Sequence, residues 1–385
     1  MEGAALVAVD TSDPERFVET LTQIWESGDA VMPVDHRLTR HEHAALIGRM
    51  KPLREITAEG STQLEGEPVR PGTALVIATS GTSGPPQGVV ISHAALRWST
   101  EASNLALDAQ GSDTWVSVLP LAHIAAIQVV NRALVSGAKL VMMPRFDPAS
   151  TVKAGTSICV SLVPALLRKL LDADVELTAI RTVLLGGGPV PVDLIDEGRD
   201  RGLNIVTTYG MTETCGGCVY DGAPLRGVHV KIGQDSSIQI SGPCLLDGYR
   251  SDALSTRERL VDGWFSTRDA GALDDSGRLS VFGRADDVIV TGGEKVWPRE
   301  VEEVLSRVPG VEEVAICSVP DPTWGQVIVA VIVPRGHAPT LELIRSLAAE
   351  QLAPYKLPRR LMLVESLPRN ALGKVDIRKL SALIR

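Results

Sequence analysis

Residues 74–90 carry the sequence ALVIATSGTSGPPQGVV. Its first five residues form an apolar run that is typical of a buried strand, and the small, hydroxyl-rich stretch after it is typical of a phosphate-binding loop. Glycine lets backbone amides approach an anion, and the hydroxyl groups add donors. The residues concerned are Thr79, Ser80, Gly81, Thr82, Ser83 and Gly84. The stretch does not match GxxxxGK[ST], so a triphosphate loop of another kind and a Ser/Gly-rich surface turn both remain open.

Around this loop, apolar runs alternate with amphipathic segments from residue 14 to about residue 210. Such runs are typical of buried parallel strands in βαβ units. They occur at residues 74–78, 114–119, 139–143, 157–162 and 182–186. Thr39 followed by Glu42 fits a capping box at the start of a helix that runs to about Met50. The sequence therefore predicts parallel α/β sheets in this region.

The pattern changes twice further along the chain. Between about residues 228 and 282, short alternating strands separated by Gly, Asp and Ser turns predict a β subdomain. After Arg284, two helical patterns alternate with strands, which predicts a small α+β domain. The expected fold class is therefore α/β, with a large N-terminal domain of parallel sheets plus a β subdomain at 1–285 and a small C-terminal domain at 286–385.

Bulk composition limits the class of protein. A chain of 385 residues is long enough for two cores, and its 44% apolar and 22% charged residues are typical of a soluble globular protein. The net charge of −9 argues against nucleic acid and anionic membranes as partners. Since no apolar run approaches the roughly 18 residues that span a bilayer, we expect a cytoplasmic protein.

Cysteine usage points to a reducing compartment. Five cysteines in a chain without a signal-like segment predict reduced core thiols instead of a disulfide framework. Cys215 and Cys218 form a close pair, for which zinc or redox chemistry is one hypothesis and packing beside a functional loop is the other.

Seven motifs, taken in order, resemble those of the adenylate-forming superfamily of acyl-CoA synthetases, adenylation domains and luciferases. They are TSGTSGPPQGVV (79–90), LGGGPVP (185–191), TYGMTET (208–214), DGWFSTRD (262–269), GRADD (283–287), GGEKVWPREVEE (292–303) and LPRNALGKVD (367–376). The resemblance runs from about residue 70 to the C-terminus. It implies an enzyme that activates a carboxylic acid with ATP and then transfers the acyl group to a thiol.

The resemblance also implies roles for individual residues. ATP would be held by the phosphate loop with Gln87 and by residues lining the base and ribose, namely Gly186, Gly187, Gly188, Thr208, Tyr209, Gly210, Met211, Asp269 and Arg284. Mg²⁺ would be held by Glu213 and Thr79, because it prefers oxygen ligands. Thr212, Glu213 and His123 would assist adenylation, and Lys374 would stabilise the charge that develops as pyrophosphate leaves.

The second half-reaction needs room for the thiol, and the superfamily provides it by rotating a mobile C-terminal domain. Asp286 matches the hinge position, and Gly292 and Gly293 match the loop that lines the channel for coenzyme A. Either CoA or the phosphopantetheinyl arm of a carrier protein is a possible acceptor. An oligomer is compatible with the sequence.

Residues 119–140 are expected to form the wall of the acid site, with His123 near the carboxylate and Gln128 on the same segment. A structural His at a helix start is the alternative for His123. This stretch, residues 161–167 and residues 208–228 look most similar to the o-succinylbenzoate–CoA ligase family of menaquinone biosynthesis, particularly its short actinobacterial members. That substrate is a small dicarboxylic acid, and Arg132 is the candidate for its second carboxylate, with an ordinary salt bridge as the alternative.

Three departures from the family pattern are visible. Gln87 stands where a lysine is usual, Arg268 replaces the glycine of TGD, and Ala125 and Ala126 replace a small residue followed by glycine. Two other functions therefore stay open: an adenylation enzyme that loads a carrier protein with another aromatic or alicyclic acid, and a non-catalytic nucleotide-binding protein.

Overall fold

The computed structural model describes residues 3–79, 86–369, 375–376, 379–380, 382 and 384. Its strands are β1 (Leu6–Asp10), β2 (Ala30–Val34), β3 (Arg54–Thr57), β4 (Gly60–Gln63), β5 (Thr73–Thr79), β6 (Gln87–Ser92), β7 (Thr114–Ser117), β8 (Lys139–Met142), β9 (Ile158–Leu162), β10 (Ile180–Leu185), β11 (Ile205–Met211), β12 (Gly216–Tyr220), β13 (Ala223–Pro224), β14 (His229–Ile232), β15 (Ser237–Ser241), β16 (Gly248–Arg250), β17 (Leu260–Val261), β18 (Trp264–Leu273), β19 (Leu279–Arg284), β20 (Ile289–Thr291), β21 (Glu294–Val296), β22 (Val311–Asp321), β23 (Gly325–Pro334) and β24 (Arg360–Leu363).

The α-helices are α1 (Pro14–Glu26), α2 (Arg40–Met50), α3 (His93–Ala106), α4 (Ile124–Ser136), α5 (Pro148–Val152), α6 (Pro164–Leu171), α7 (Val192–Asp200), α8 (Ala253–Arg259), α9 (Pro298–Leu305) and α10 (Leu341–Ala348). Short 3₁₀ turns lie at Thr212–Thr214, Ala285–Asp287 and Pro354–Lys356. Within the described ranges, no helix combines the length and the apolar character that crossing a bilayer requires.

Two sheets of seven strands carry the N-terminal part of the molecule. The first has the order β16-β6-β5-β2-β1-β3-β4, and the second has the order β13-β12-β11-β10-β9-β7-β8. Their centres are parallel, as the apolar runs predict, and the strands β2, β7 and β9 are buried along their whole length. Both edges of the first sheet and the β12–β13 edge of the second are antiparallel, whereas β8 at the other edge is parallel to β7, so the sheets are mixed.

A third sheet contains β14-β15-β18-β17 with β19 beside β18, and a fourth contains β21-β20-β23-β22 with β24 beside β23. The expected α/β class, with an added β region and a small α+β part, is confirmed. The chain forms two compact units: the first comprises Met1–Lys231, Gln239–Ser266 and Asp275–Leu279, and the second comprises Ile232–Ile238, Thr267–Asp274 and Ser280–Arg385. The boundary at residue 285 stays a prediction.

Local signals in the sequence explain two features near the phosphate loop. Thr39 and Glu42 form the predicted capping box, since the Glu42 amide donates to Thr39 Oγ1 and the Thr39 amide donates to the Glu42 carboxylate. Helix α3 begins after the N-cap Ser92, whose side chain accepts from the Ala95 amide. However, β6 intervenes and pairs antiparallel with β5, so the loop joins two strands of a hairpin.

Candidate active site

The predicted base-binding segments lie at one edge of the second sheet. Strands β10 and β11 are parallel neighbours, with Leu185 beside Thr207, so the glycines after β10 and the end of β11 share that edge. Packing leaves no room for a Cβ at two of these positions: one added at Gly186 would lie 2.4 Å from Thr208 Oγ1, and one at Gly210 would lie 2.0 Å from the Gly216 carbonyl oxygen, whereas a Cβ at Gly188 would meet nothing within 4 Å. The edge therefore presents backbone, as a flat ligand requires.

The turn after β11 holds the candidate metal ligand. Thr212–Thr214 form one 3₁₀ turn, and the amide of Met211 donates to Thr214 Oγ1 at 2.9 Å. The buried Thr214 hydroxyl donates in turn to the Gly216 carbonyl at 2.8 Å. Tyr209, near the end of β11, is thus followed closely by Thr212 and Glu213, on a turn that internal hydrogen bonds fix.

Glu213 has two further contacts that the sequence analysis did not predict. The Tyr249 hydroxyl donates to Glu213 Oε1 at 2.9 Å, and the Leu246 amide donates to the Glu213 carbonyl oxygen at 2.9 Å. Arg259 donates to the Tyr249 hydroxyl at 3.3 Å. Tyr249 and Arg259 lie 36 and 46 residues beyond Glu213, so no local motif joins them.

The oxygen atoms near this turn suit Mg²⁺, which is bound partly by substrate and water, better than an ion whose ligands all come from the protein. Among the described residues, no group of three His, Cys, Asp or Glu side chains could hold an ion. Mg²⁺ is usually bound by one or two carboxylates together with substrate phosphates and water, and Glu213 can supply such a carboxylate. Thr79 Oγ1 donates to the Gln87 carbonyl at 3.3 Å, across the hairpin.

Most of the predicted phosphate loop and the predicted catalytic lysine lie outside the described residues. These are Ser80, Gly81, Thr82, Ser83, Gly84 and Lys374. Their roles stay predictions.

Gln87, which replaces the usual lysine, opens β6 and binds to α8. Its side-chain amide donates to Asp252 Oδ2 at 2.9 Å and to Ser255 Oγ at 3.1 Å. Asp252 is the N-cap of α8, and its hydrogen bonds to Ser255 and Gln87 lower the pKa of its carboxyl. The side-chain amide of Gln87 therefore connects the start of β6 to the N-terminus of α8.

We predict that Gln87→Lys raises kcat/KM for ATP by about fivefold, the value of one charge-assisted hydrogen bond of about 1 kcal/mol. A new ammonium would also face Asp252, so the gain should be larger in Gln87→Lys/Asp252→Asn. Initial rates of pyrophosphate release at varied ATP measure both. Unchanged or lower values in the double variant would contradict the prediction.

Three predicted acid-site residues lie on or beside α4. His123 is the half-buried N-cap of α4. Gln128 is buried, and its amide donates to the Cys215 carbonyl at 2.6 Å, while its oxygen accepts from Thr100 at 3.1 Å. Gln128 therefore supports the turn that carries Glu213. Its role toward the acid stays a prediction.

Arg132 is also buried in the first unit. Its Nε donates to Ser103 Oγ at 2.7 Å, one Nη lies 3.4 Å from the Tyr220 hydroxyl, and the guanidinium lies 5.4 Å from the Trp115 ring. None of these contacts is the ordinary salt bridge that was the alternative for Arg132. The role of Arg132 toward a second carboxylate stays a prediction.

Two buried hydroxyls were missed by sequence reasoning. Ser117 ends β7 and Ser161 lies near the end of β9, and the parallel register of these strands places them side by side. Neither Oγ has a hydrogen-bond partner among the described residues. Ser117 shares a face of β7 with Trp115, and Arg132 of α4 covers that face. The pattern of small residues in an apolar strand gave no signal for them.

The second unit carries the predicted ribose ligand. Asp269 lies on β18 and Arg284 ends the neighbouring β19, and their side chains form an ion pair at 3.5 Å. The Asp269 amide donates to Thr267 Oγ1 at 3.1 Å, which fixes the backbone. Asp286 lies in the 3₁₀ turn that follows Arg284. This arrangement brings Asp269 and Arg284 together, and their role toward the ribose stays a prediction.

Gly292 and Gly293 form the two-residue turn of the β20–β21 hairpin. Thr291 pairs with Glu294, and both glycines have positive φ values, +59° and +86°, as a type I′ turn requires. A Cβ on Gly292 would lie 2.9 Å from the Trp324 ring. The geometry of the turn therefore requires glycine at Gly292 and Gly293. The predicted role of these residues in lining the coenzyme A channel is separate from this requirement.

Glu302 on α9 is a titratable group to which the sequence analysis assigned no role, although it lies within the motif at 292–303. Its Oε1 accepts the Ile316 amide at 2.8 Å. Burial raises the pKa of Glu302 to about 7, against its ordinary value of 4.5, although the Ile316 amide and Arg299 oppose the shift. The folded protein therefore binds this proton more tightly than the unfolded chain does.

The contribution of Glu302 to stability is complete below pH 4.5 and is lost as the pH rises to about 7. We predict that Glu302→Gln, which keeps the acceptor, raises the free energy of unfolding at about pH 8 by about 2 kcal/mol. Urea unfolding from about pH 5 to about pH 8 measures it, with the exposed Glu303→Gln as control. A wild-type pH slope in the variant would disprove the assignment.

Comparison with known proteins agrees with this site. The model for the AMP-binding enzyme family matches residues 51–243, and that for the AMP-binding enzyme C-terminal domain matches residues 300–374. A probable 2-succinylbenzoate–CoA ligase of Mycobacterium tuberculosis is 40% identical over 326 residues, which cover 81% of this chain and 84% of the relative. The 2-succinylbenzoate–CoA ligase of Listeria monocytogenes is 36% identical over 80% of this chain and 69% of its own length.

Solved structures give the same result. The o-succinylbenzoate CoA synthetase of Bacillus subtilis, in complex with its acyl-adenylate intermediate, matches with a TM-score of 0.86 and 27% identity, covering 99% of this chain and 88% of that chain. ATP-bound MatB of Rhodopseudomonas palustris matches with a TM-score of 0.88, 24% identity and coverage of 100% and 89%, which shows the fold alone. The chain belongs to the AMP-binding enzyme family. The resemblance inferred from its motifs, including that to short actinobacterial relatives, is confirmed.

Proposed function

We propose that this protein is an ATP-dependent, AMP-forming carboxylate–CoA ligase that acts on 2-succinylbenzoate. The acid and ATP give the acyl-adenylate and pyrophosphate, and CoA then displaces AMP to give the thioester. The observation that carries the proposal is 40% identity, over 81% of the chain, to a relative named as such a ligase. The proposed place of action is the cytoplasm.

The geometry of the first unit supports the adenylation step. Glycines at one sheet edge offer a flat surface to the base, and Tyr209 offers an aromatic face. Glu213 would hold Mg²⁺ through a carboxylate oxygen close to that edge, and the bound ion would supply positive charge for the phosphates. ATP and Mg²⁺ are bound together in a B. subtilis o-succinylbenzoate CoA synthetase that matches with a TM-score of 0.83.

In the second unit, Asp269 accepts from the ribose hydroxyls in the proposed mechanism, and Arg284 orients the Asp269 carboxylate through their ion pair. Lys374 supplies the positive charge for adenylation. Rotation about Asp286 then admits the thiol past Gly292 and Gly293.

The acid lies against the segment around His123 in this proposal. The unpartnered hydroxyls of Ser117 and Ser161 are suited to donate to its carbonyl or second carboxylate oxygens, since a buried hydroxyl gains most from an acceptor that arrives with the ligand. Arg132 is the proposed cation for the second carboxylate, acting through the Ser103 and Tyr220 hydroxyls that it contacts.

A pyrophosphate-release assay over a panel of carboxylic acids, with and without CoA, tests this function. We expect release with 2-succinylbenzoate and Mg²⁺-ATP, and formation of the CoA thioester once CoA is added. Thioester formation only with a phosphopantetheinyl carrier protein would instead identify a carrier-loading enzyme. Binding of ATP without turnover of any acid would refute the ligase function.

A further inference from the structure

We propose that Tyr249 is a positioning residue for the Mg²⁺-dependent adenylation step, because its hydroxyl links the Arg259 guanidinium to the Glu213 carboxylate. Arg259 donates to the hydroxyl oxygen at 3.3 Å, and the hydroxyl proton points to Glu213 Oε1 at 2.9 Å. The inference rests on the proposed function, in which Glu213 binds the ion. It assigns a purpose to two residues that lie outside the family motifs quoted above.

The direction of the hydrogen bonds follows from the chemistry of the three groups. A guanidinium can only donate and a carboxylate can only accept, so the phenol between them must accept from Arg259 and donate to Glu213. A tyrosine hydroxyl ordinarily has a pKa of about 10, so at neutral pH it carries the proton that this donation requires. Each bond in such a series polarises the next and strengthens it.

The backbone holds this tyrosine rigidly. Tyr249 pairs with Val89 of β6, its amide donates to Thr256 Oγ1 at 2.9 Å, and its side chain is buried in the main core of the first unit. The same segment also fixes the backbone of Glu213, through the Leu246 amide. Main chain and carboxylate of Glu213 are thus both set by residues 246–249.

A carboxylate fixed in this way binds a metal ion more tightly than a freely rotating one. The ligand loses less rotational freedom on binding, and the partner hydrogen bond sets the direction of its remaining lone pairs. Supporting partners of this kind typically contribute about 10- to 100-fold to metal affinity or activity. Tyr249 therefore connects the predicted ion ligand Glu213 to β6, the strand that follows the predicted phosphate loop in the sequence and carries Gln87.

The test is Tyr249→Phe, which removes only the hydroxyl. We expect the Mg²⁺ concentration for half-maximal pyrophosphate release to rise about 10-fold, with KM for the acid unchanged. Conversion of added acyl-adenylate to the thioester should keep its wild-type rate, because that step needs no metal at Glu213. Tyr355→Phe, which deletes a half-buried hydroxyl in the second unit, is the matched control and should change neither quantity.

A second measurement separates this inference from the proposed function. Calorimetry of Mn²⁺ binding to the protein in the presence of ATP needs no acid, and Tyr249→Phe should weaken it about 10-fold. Weakened Mn²⁺ binding in a protein that activates no acid would support the link and refute the ligase. Wild-type Mg²⁺ and Mn²⁺ dependence in an active variant would refute the link and leave the ligase intact.

A double-variant comparison excludes a purely structural effect. If Tyr249 acts through Glu213, Tyr249→Phe should add nothing to Glu213→Gln in the Mn²⁺ titration, whereas independent effects would add. Arg259→Gln, on a partly exposed helix end, should shift the Mg²⁺ dependence in the same direction by a smaller factor. It serves as the second variant should Tyr249→Phe fold poorly, and a wild-type Mg²⁺ dependence in it would count against the proposal.

Discussion

Lys374→Ala is expected to slow adenylation by about 10²- to 10³-fold, which corresponds to about 3 to 4 kcal/mol of transition-state stabilisation. Negative charge grows on the phosphate oxygens as the acid attacks and pyrophosphate leaves, and a placed ammonium stabilises that charge. The measurement is pyrophosphate release under saturating ATP. The second half-reaction, started from added acyl-adenylate, should be nearly unaffected because the lysine has no partner in it.

Lys379→Ala is the matched control for this prediction. Lys379 lies five residues away with an exposed side chain, 3.6 Å from Asp376, and its loss should leave both half-reactions unchanged. Equal loss of both half-reactions in Lys374→Ala would indicate a structural role, and an unaltered adenylation rate would remove the assignment.

Glu213→Gln is expected to lower kcat/KM for adenylation by about 10²-fold, since the amide keeps the shape of the side chain but loses the charge that binds Mg²⁺. The Tyr249 hydroxyl can still donate to the amide oxygen, so the fold should be retained. The rate should recover partly at high Mg²⁺. Titration of pyrophosphate release with Mg²⁺ measures both effects.

The control here is Glu258→Gln, an exposed carboxylate on α8 in the same unit. It removes the same charge without touching the turn after β11. A Glu213→Gln enzyme with wild-type kcat/KM and wild-type Mg²⁺ dependence would show that the ion is bound elsewhere.

Much of the fold could be predicted from local pattern. The apolar runs that became β5, β7, β8, β9 and β10 contain enough Val, Ile and Leu to identify buried strands whatever lies around them. The capping box at Thr39 and Glu42 is likewise complete within four residues. By contrast, β6 was not predicted, because it follows directly on a glycine-rich stretch that carries no strand pattern, although its antiparallel pairing with β5 is local.

The candidate site also has one part that local sequence predicts and one part that it does not. The motif TYGMTET was enough to identify Tyr209, Thr212 and Glu213, which the structure places on one strand end and turn. Gln87 was expected beside phosphates, yet its amide contacts Asp252, 165 residues further along the chain. No spacing rule connects two such positions.

The sequence by itself determined the class of chemistry. A phosphate loop, a base-binding turn and a ribose carboxylate each need only a short run of particular residues, and such runs can be identified without knowing the fold. Only the tertiary structure decided which groups support them: Tyr249 and Arg259 behind Glu213, Gln128 behind Cys215, and Ser103 and Tyr220 around Arg132. The physical reason is that a hydrogen bond depends on a few ångströms of distance and on direction, and chain folding sets both between residues far apart in sequence.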